Sequence, residues 1–250
     1  KNGNRTTAMR WARLLRRVGH QVHVTNDYDG RAVDLLIALH AWHSAKAVQR
    51  YRCQAPKGPL VVGLGGTDVN TFLKTDRQIT LNTMKAADAL ICLHDLVGEA
   101  LPPALWGRLN VVRQSATPLS VTRIPSKRHF DICVIGHLRD EKDPFRAALA
   151  ARQMPNNSSL RVIHLGKATT AKFANSAAKE MARNFRYYWR GEGPGWQGGR
   201  EFAKTHAMVI SSVQEGGANV VSEALVAGVP IIASDIAGNI GLLGRDYPGY

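Results

Sequence analysis

The 250-residue chain is poor in the residues that staple, span or metallate a protein. Its three cysteines, Cys53, Cys92 and Cys133, lie far apart with no paired spacing, which excludes a disulfide framework and a zinc knuckle and fits a reducing cytoplasm. No apolar run approaches the roughly 20 residues that a membrane helix needs, and no secretory leader is visible, so no membrane insertion is expected. Acid is scarce as well: 19 Asp+Glu stand against 33 Lys+Arg, a net charge of +14. Such a surplus suits anionic partners, whether nucleic acid, anionic lipid or phosphorylated small molecules, and equally suits a solvated basic surface. No basic motif interleaved with aromatics is present, so nucleic acid is not expected. An initiating Met is lacking too, and the chain opens on a loop running into a helix. The expectation is that a first strand precedes Lys1 and that a closing helix follows Tyr250.

What is present is an alternation of strands and helices. Arg5 to Arg17 places Met9, Ala12, Leu15 and Val18 near one face, with Gly19 as the stop: an amphipathic surface helix. The segments "QVHVT", "DLLIAL", "PLVVGL", "DALICL" and "NVV" read as strands, with helices near 44–52, 75–86 and 96–101. The rhythm breaks at "QSATPLSVTRIPSKRH", a basic, polar stretch with Pro118 and Pro125 that reads as an interdomain crossing. It resumes with "FDICVIGHL", a helix over 144–152, "LRVIHLG", a helix over 171–183, "RYYW", a glycine-rich loop, "MVISS", a helix from Asn219 and "IIAS". Val/Ile/Leu-rich strands between helices argue for two doubly covered parallel sheets. The expected division is a first domain over 1–115, a linker over 116–128 and a second domain over 129–250, with a ligand cleft between the domains.

Ligands of such sheets bind at the carboxyl ends of the strands, and two clusters of the second half fall there. In "EGGANVVSEALVAGVPIIASD" the residues Gly216, Gly217, Ala218, Asn219 and Val220 offer small side chains and backbone N–H groups at a helix start, suited to a diphosphate or to an ordinary capped turn. Glu215 precedes them, and Glu223 lies one turn inside the helix, where a carboxylate can grip paired hydroxyls. In "VIGHLRDEKDP" Gly136 allows a turn, while His137, Arg139 and Lys142 bring positive charge that a leaving diphosphate needs; a solvated charge run is the plainer reading. In the first half Asn4, Arg5, Thr6 and Thr7 stand at a helix N-terminus, as anion ligands or as capping residues. His40 and His43 have a spacing that suits a metal, but no third ligand follows them, so no metal is expected. The segment "VVGLGGTD" resembles a dinucleotide glycine motif only in part and ends on Thr67 and Asp68.

The pair Glu215 and Glu223, set between a strand and "AGVPIIAS", resembles the signature of the family-4 glycosyltransferases. That resemblance implies the GT-B fold, an α/β architecture of two facing Rossmann-like domains. It also implies a nucleotide sugar on the second domain, with Glu223 on the ribose, Glu215 on the transferred sugar and Gly216 to Val220 on the sugar and diphosphate. A basic pair after the first strand of that domain would grip the diphosphate; Lys142 matches its lysine, whereas His137 occupies the arginine position and Arg139 is displaced toward the lysine.

A narrower likeness covers nearly the whole chain. "GNRTTAMRWARLL", "YDG", "DLLIALHA", "GGTD", "VIGHLRDEKDPFRAALAAR", "HLGKA" and "EGGANVVSEALVAGVPIIASDIAGNIGLLGRDYPGY" resemble the bacterial selenosugar synthases of selenoneine biosynthesis. This resemblance implies transfer of N-acetylglucosamine or a related hexose from its UDP donor to selenophosphate, with formation of a carbon–selenium bond and loss of phosphate. No cofactor is implied. Gly65 stands where many family-4 members carry a histidine, and a soft anionic nucleophile has less need of a base. Arg5, Thr6, Thr7 and the amides around Asn4 are then candidates for the acceptor cradle, followed by His40, Thr67 and Asp68. Three other readings remain beside it: a hydroxyl-acceptor GT-B transferase, a UDP-sugar epimerase and a basic nucleic-acid module.

Overall fold

The protein is described by a computed structural model over residues 3–250. It divides into two compact units, one ending at Arg113 and the other running from Gln114 to Tyr250.

The first unit opens on α1 (Gly3–Arg17), which buries Ala12 and leaves Arg13, Arg16 and Arg17 exposed. Its sheet holds β1 (Leu36–Leu39), β2 (Leu60–Gly63), β3 (Ala89–Cys92) and β4 (Leu109–Val111), all parallel and in the order β1-β2-β3-β4. The glycine that ends β2 makes room for α1: a methyl on Gly63 would stand 3.2 Å from the Trp11 ring. Between the strands run α2 (Ala45–Gln54), a π-helical turn (Asp68–Phe72), α3 (Leu73–Thr75) and α4 (Arg77–Ala86). Val48 and Tyr51 of α2 and Met84 of α4 pack with Leu60, Val62 and Leu90 as the core. Each such side chain contributes roughly 1.5–3 kcal/mol through the apolar surface it removes from water.

One expected strand does not form. Gln21–Thr25 alternates like a strand, yet it is irregular, and Val24 is exposed. A strand persists only with a ladder partner or a buried face, and in the sheet β1 pairs with β2 alone. The segment is held instead by the Arg16 guanidinium donating to the Val22 carbonyl at 2.5 Å.

The second unit carries β5 (Phe130–Ile135), α5 (Arg146–Arg152), β6 (Leu160–Leu165), α6 (Ala171–Arg183), β7 (Tyr187–Trp189), α7 (Trp196–Phe202), β8 (Ala207–Ile210), α8 (Asn219–Val226), β9 (Ile231–Ala233) and α9 (Ala237–Leu243). The five parallel strands lie in the order β7-β6-β5-β8-β9. Chain order therefore reverses between β5 and β8: from β5 the chain builds outward through β6 and β7, then returns to lay β8 on its other side. The Gln114–His129 approach has no helix or strand and lies along this unit, with Ile124 N–H donating to Ala203 O at 2.8 Å and Arg123 to Thr205 O at 2.8 Å. The cysteines are free: Cys92 and Cys133 are buried and Cys53 is exposed.

Candidate functional site

The strand-order reversal marks where the ends of two neighbouring strands part, and a doubly wound sheet offers its crevice there. β5 leads into Gly136 and His137, then Arg139, a 3-10 turn over Asp140–Lys142 and Asp143 in the left-handed region (φ 41°). β8 leads into Ser211, Ser212 and the glycine loop. Backbone bonds lock the two loops together. Val213 N–H donates to Glu141 O at 3.0 Å, and the Ser211 hydroxyl donates to Asp143 O at 2.9 Å.

Across that junction the Lys142 ammonium contacts the Glu215 carboxylate. The side chains are only 19% and 10% exposed, so water screens the pair weakly. The Ser212 hydroxyl donates to the same Glu215 oxygen at 2.6 Å. Glu215 is further fixed from behind by α9: a methyl on Gly238 would fall 2.4 Å from the Glu215 carbonyl oxygen, so only glycine permits this approach.

Gly217 then turns the chain with φ 108°, a region that L side chains rarely adopt. α8 begins at Asn219 with Ala218 as its cap residue, and Ala218 has no side-chain oxygen to satisfy the first amides. Asn219 is thus the first helical residue and not the cap. Glu223 lies one turn further along α8 and is half-buried.

A small pocket lies at the junction, lined among others by Gly136, His137, Lys142, His164, Ser211 and Ser212. Two of its imidazoles have their pKa lowered by burial. His137 Nδ1 accepts from Lys167 N–H at 3.1 Å, and burial lowers its pKa, opposed by the Glu192 charge and aided by that of Arg139. Its Nε2 therefore carries the proton, so His137 offers a hydrogen-bond donor at the pocket. His164 is fully buried, and burial pushes its pKa down to about 4. Its Nε2–H donates to Gly136 O at 3.1 Å, and its Nδ1 accepts from the Tyr187 hydroxyl at 2.9 Å. His164 thus pins the carbonyl at the turn carrying His137. Arg139, by contrast, is exposed and pairs with Glu141 at 3.7 Å.

In the first unit the carboxyl ends of β1 and β2 bring His40, Thr67 and Asp68 together, although 27 residues separate His40 from Thr67. Asn4, Arg5, Thr6 and Thr7 form the first turn of α1, on a separate element. Sequence reasoning missed His164, Ser211 and Ser212. The one signal for His164 was a lone histidine inside the apolar run "LRVIHLG", where a buried polar group must find partners.

Both sheets place this chain among the GT-B folds. Its architecture is similar to that of Anabaena HepE solved with UDP and glucose: TM-score 0.65 at 17% identity, covering 84% of this chain and 61% of HepE. It is also similar to a mutant of S. aureus TarM in complex with fondaparinux, α-GlcNAc-glycerol and UDP: TM-score 0.68 at 12% identity, covering 96% of this chain and 47% of TarM. WaaG, a glycosyltransferase involved in lipopolysaccharide biosynthesis, gives TM-score 0.67 at 16% identity over 95% of this chain and 79% of WaaG. The chain thus spans about half to three-fifths of the length of HepE and TarM.

The family model described as glycosyl transferases group 1 matches residues 122–250, and the chain belongs to that family. No curated protein matches it. Among the described residues no helix is long and apolar enough to cross a membrane.

Proposed function

We propose that this chain is a UDP-sugar-dependent glycosyltransferase whose second unit binds the donor. The observation that carries the reading is the Lys142–Glu215 pair at the strand-order reversal, beside the glycine loop that leads into α8. A nucleotide sugar asks for that combination: cation and amides for the diphosphate, carboxylates for the hydroxyls on either side of it. Lys142, the His137 N–H and the amides of Gly216 to Val220 take the diphosphate. Glu223 takes the ribose and Glu215 the transferred sugar. When the glycosidic bond breaks, the charge developing on the diphosphate meets Lys142 already in place, and such preorganised charge lowers the barrier by several kcal/mol. Solved GT-B proteins complexed with UDP, with glucose and with UDP-glucose support the donor class.

The finer reading follows the sequence likeness to selenosugar synthases: the sugar is N-acetylglucosamine or a related hexose and the acceptor is selenophosphate, giving a selenosugar after loss of phosphate. The net charge of +14 supports a dianionic donor with an anionic acceptor. On the side of a hydroxyl acceptor stands the Thr67–His40 contact, which can take a proton. Mass spectrometry of the product from UDP-N-acetylglucosamine and selenophosphate separates these. A selenium-containing sugar is expected; UDP release without one removes the acceptor reading, and no UDP-sugar binding removes the donor reading. An epimerase would convert the donor with no acceptor present.

A further inference from the structure

We propose that Ser212, backed by Ser234 and Asn239, is a positioning residue that sets the Glu215 carboxylate for the transferred sugar. The proposal rests on the donor reading above and deepens it, because it names the groups that hold Glu215 once Lys142 turns to the diphosphate.

The arrangement grows out of two neighbouring strand ends. β8 and β9 pair in parallel with Ile210 beside Ala233, so each strand runs out into serine: Ser211 and Ser212 after β8, Ser234 after β9. Ser212 is 1% exposed, and its hydroxyl donates to Glu215 Oε1 at 2.6 Å. An ionised carboxylate only accepts, so the direction of this bond is fixed. The Lys142 ammonium meets the same oxygen.

These two partners of Oε1 differ in reach. Lys142 ends a flexible stem, and a diphosphate draws its ammonium away. The short Ser212 side chain is enclosed and touches no ligand. When Lys142 engages the diphosphate, the Ser212 hydrogen bond stays on Glu215, and bonds to ionised groups are the strong ones. It keeps the carboxylate from following the ammonium, and so leaves it aimed at the sugar.

Ser212 is itself held from α9. The Ser234 hydroxyl donates to Ser212 O at 2.5 Å, and Asn239 Nδ2 donates to Ser234 Oγ at 3.1 Å and to Ser234 O at 2.9 Å. A carbonyl only accepts, so the Asn239 nitrogen must be the atom facing Ser234 O, and the Ser234 proton is left for Ser212. Asn239 is wholly buried, and its Oδ1 has no hydrogen-bond partner among the described residues. A buried carbonyl left so is unfavourable. Packing alone therefore gives no reason for an asparagine at this place, whereas the two bonds to Ser234 do. The same helix brings Gly238 against the Glu215 main chain, where a methyl would fall 2.4 Å from the carbonyl oxygen. α9 thus fixes the backbone of Glu215 directly and its carboxylate through Ser234 and Ser212.

The test is titration calorimetry of the full chain with UDP, UDP-glucose and UDP-N-acetylglucosamine. UDP lacks the sugar and reports whether the glycine loop is intact; the sugar nucleotides report Glu215. Ser212→Ala is expected to weaken the sugar nucleotide that the wild type binds by about tenfold, the scale of a hydrogen bond to a charged group, with UDP affinity kept within about twofold. Ser234→Ala should act in the same direction by about threefold, the scale of a neutral hydrogen bond. In a Glu215→Ala background Ser212→Ala should add nothing, because a residue that acts only through Glu215 has nothing left to position. If Ser212→Ala does not fold, Ser234→Ala decides by the same split. Equal losses for UDP and the sugar nucleotide, unchanged binding of both, or a further loss in the Glu215→Ala background each overturn the positioning role and leave the donor reading standing. A wild-type chain that binds UDP but neither sugar nucleotide also overturns the positioning role, and one that binds none of the three overturns the donor reading with it.

Discussion

The two units use one architecture in two ways. In the first, the strands are laid down in sheet order, β1-β2-β3-β4, and no reversal separates neighbouring strand ends. In the second, order reverses between β5 and β8, and the loops after those strands meet as Lys142 and Glu215. Topology therefore marks the second unit's ligand face by itself. In the first unit the face is marked by chemistry: a buried carboxylate and imidazole behind an exposed hydroxyl. One strand plan thus presents two chemically different faces, a charged pair in one unit and a buried imidazole–carboxylate pair in the other.

The largest expected effect sharpens how the second unit is held. His164 is neutral in the fold with its pKa pushed down to about 4, below its ordinary 6.5. A depressed pKa means the unfolded chain binds the extra proton first, so the stabilisation is complete above about 6.5 and is lost as pH falls through about 4. The difference amounts to about 3 kcal/mol. Hydrogen exchange of β5 to β7 peptides at pH 7 and pH 4.5 should show the loss, and His164→Gln should flatten it. An acid slope unchanged in the variant would remove His164 from this role.

Lys142→Ala comes next. It should lower kcat by roughly 10²-fold, the scale of losing one preorganised charge, while donor binding changes less. Glu223→Ala should do the reverse, weakening UDP-sugar binding about tenfold, as loss of a hydrogen bond to a charged group does, with kcat nearly kept. Titration calorimetry beside steady-state kinetics reads the split. Equal and small effects on both quantities would break the division of labour between loop and helix.

Much of this was legible in the sequence, for identifiable reasons. Of ten strands expected from the sequence nine form, because buried parallel strands leave a continuous apolar signature. Gln21–Thr25 has the same local signature but no ladder partner, and local pattern cannot report partners. Helix α7 was hidden for the opposite reason: Gly195, Gly198 and Gly199 lower its intrinsic propensity, and packing of Phe202 into the core overrides that. Lys142 and Glu215 were placed on one face by counting strand ends. Their direct contact needs the two loops locked at Val213 and Ser211. His40, Thr67 and Asp68 were noted singly, but only the register that sets Leu39 beside Gly63 joins the loops that follow β1 and β2.

The smallest effect separates two basic residues that the sequence could not rank. Arg139 and Lys142 lie three positions apart, and both were candidates for the leaving diphosphate. In the structure Arg139 is exposed and paired with Glu141 at 3.7 Å, whereas Lys142 is largely buried against Glu215. An exposed pair of this kind contributes about 0.2–1 kcal/mol at most, and a solvated guanidinium gains little by facing a phosphate that water also reaches. Arg139→Ala should therefore change kcat by less than about threefold, against the roughly 10²-fold expected for Lys142→Ala. Its effect should vanish at high salt, because an exposed charge is screened within about 10 Å at 0.1 M. A loss at Arg139 as large as that at Lys142, persisting in salt, would mean that the 3-10 turn swings on donor binding and brings both cations to the diphosphate.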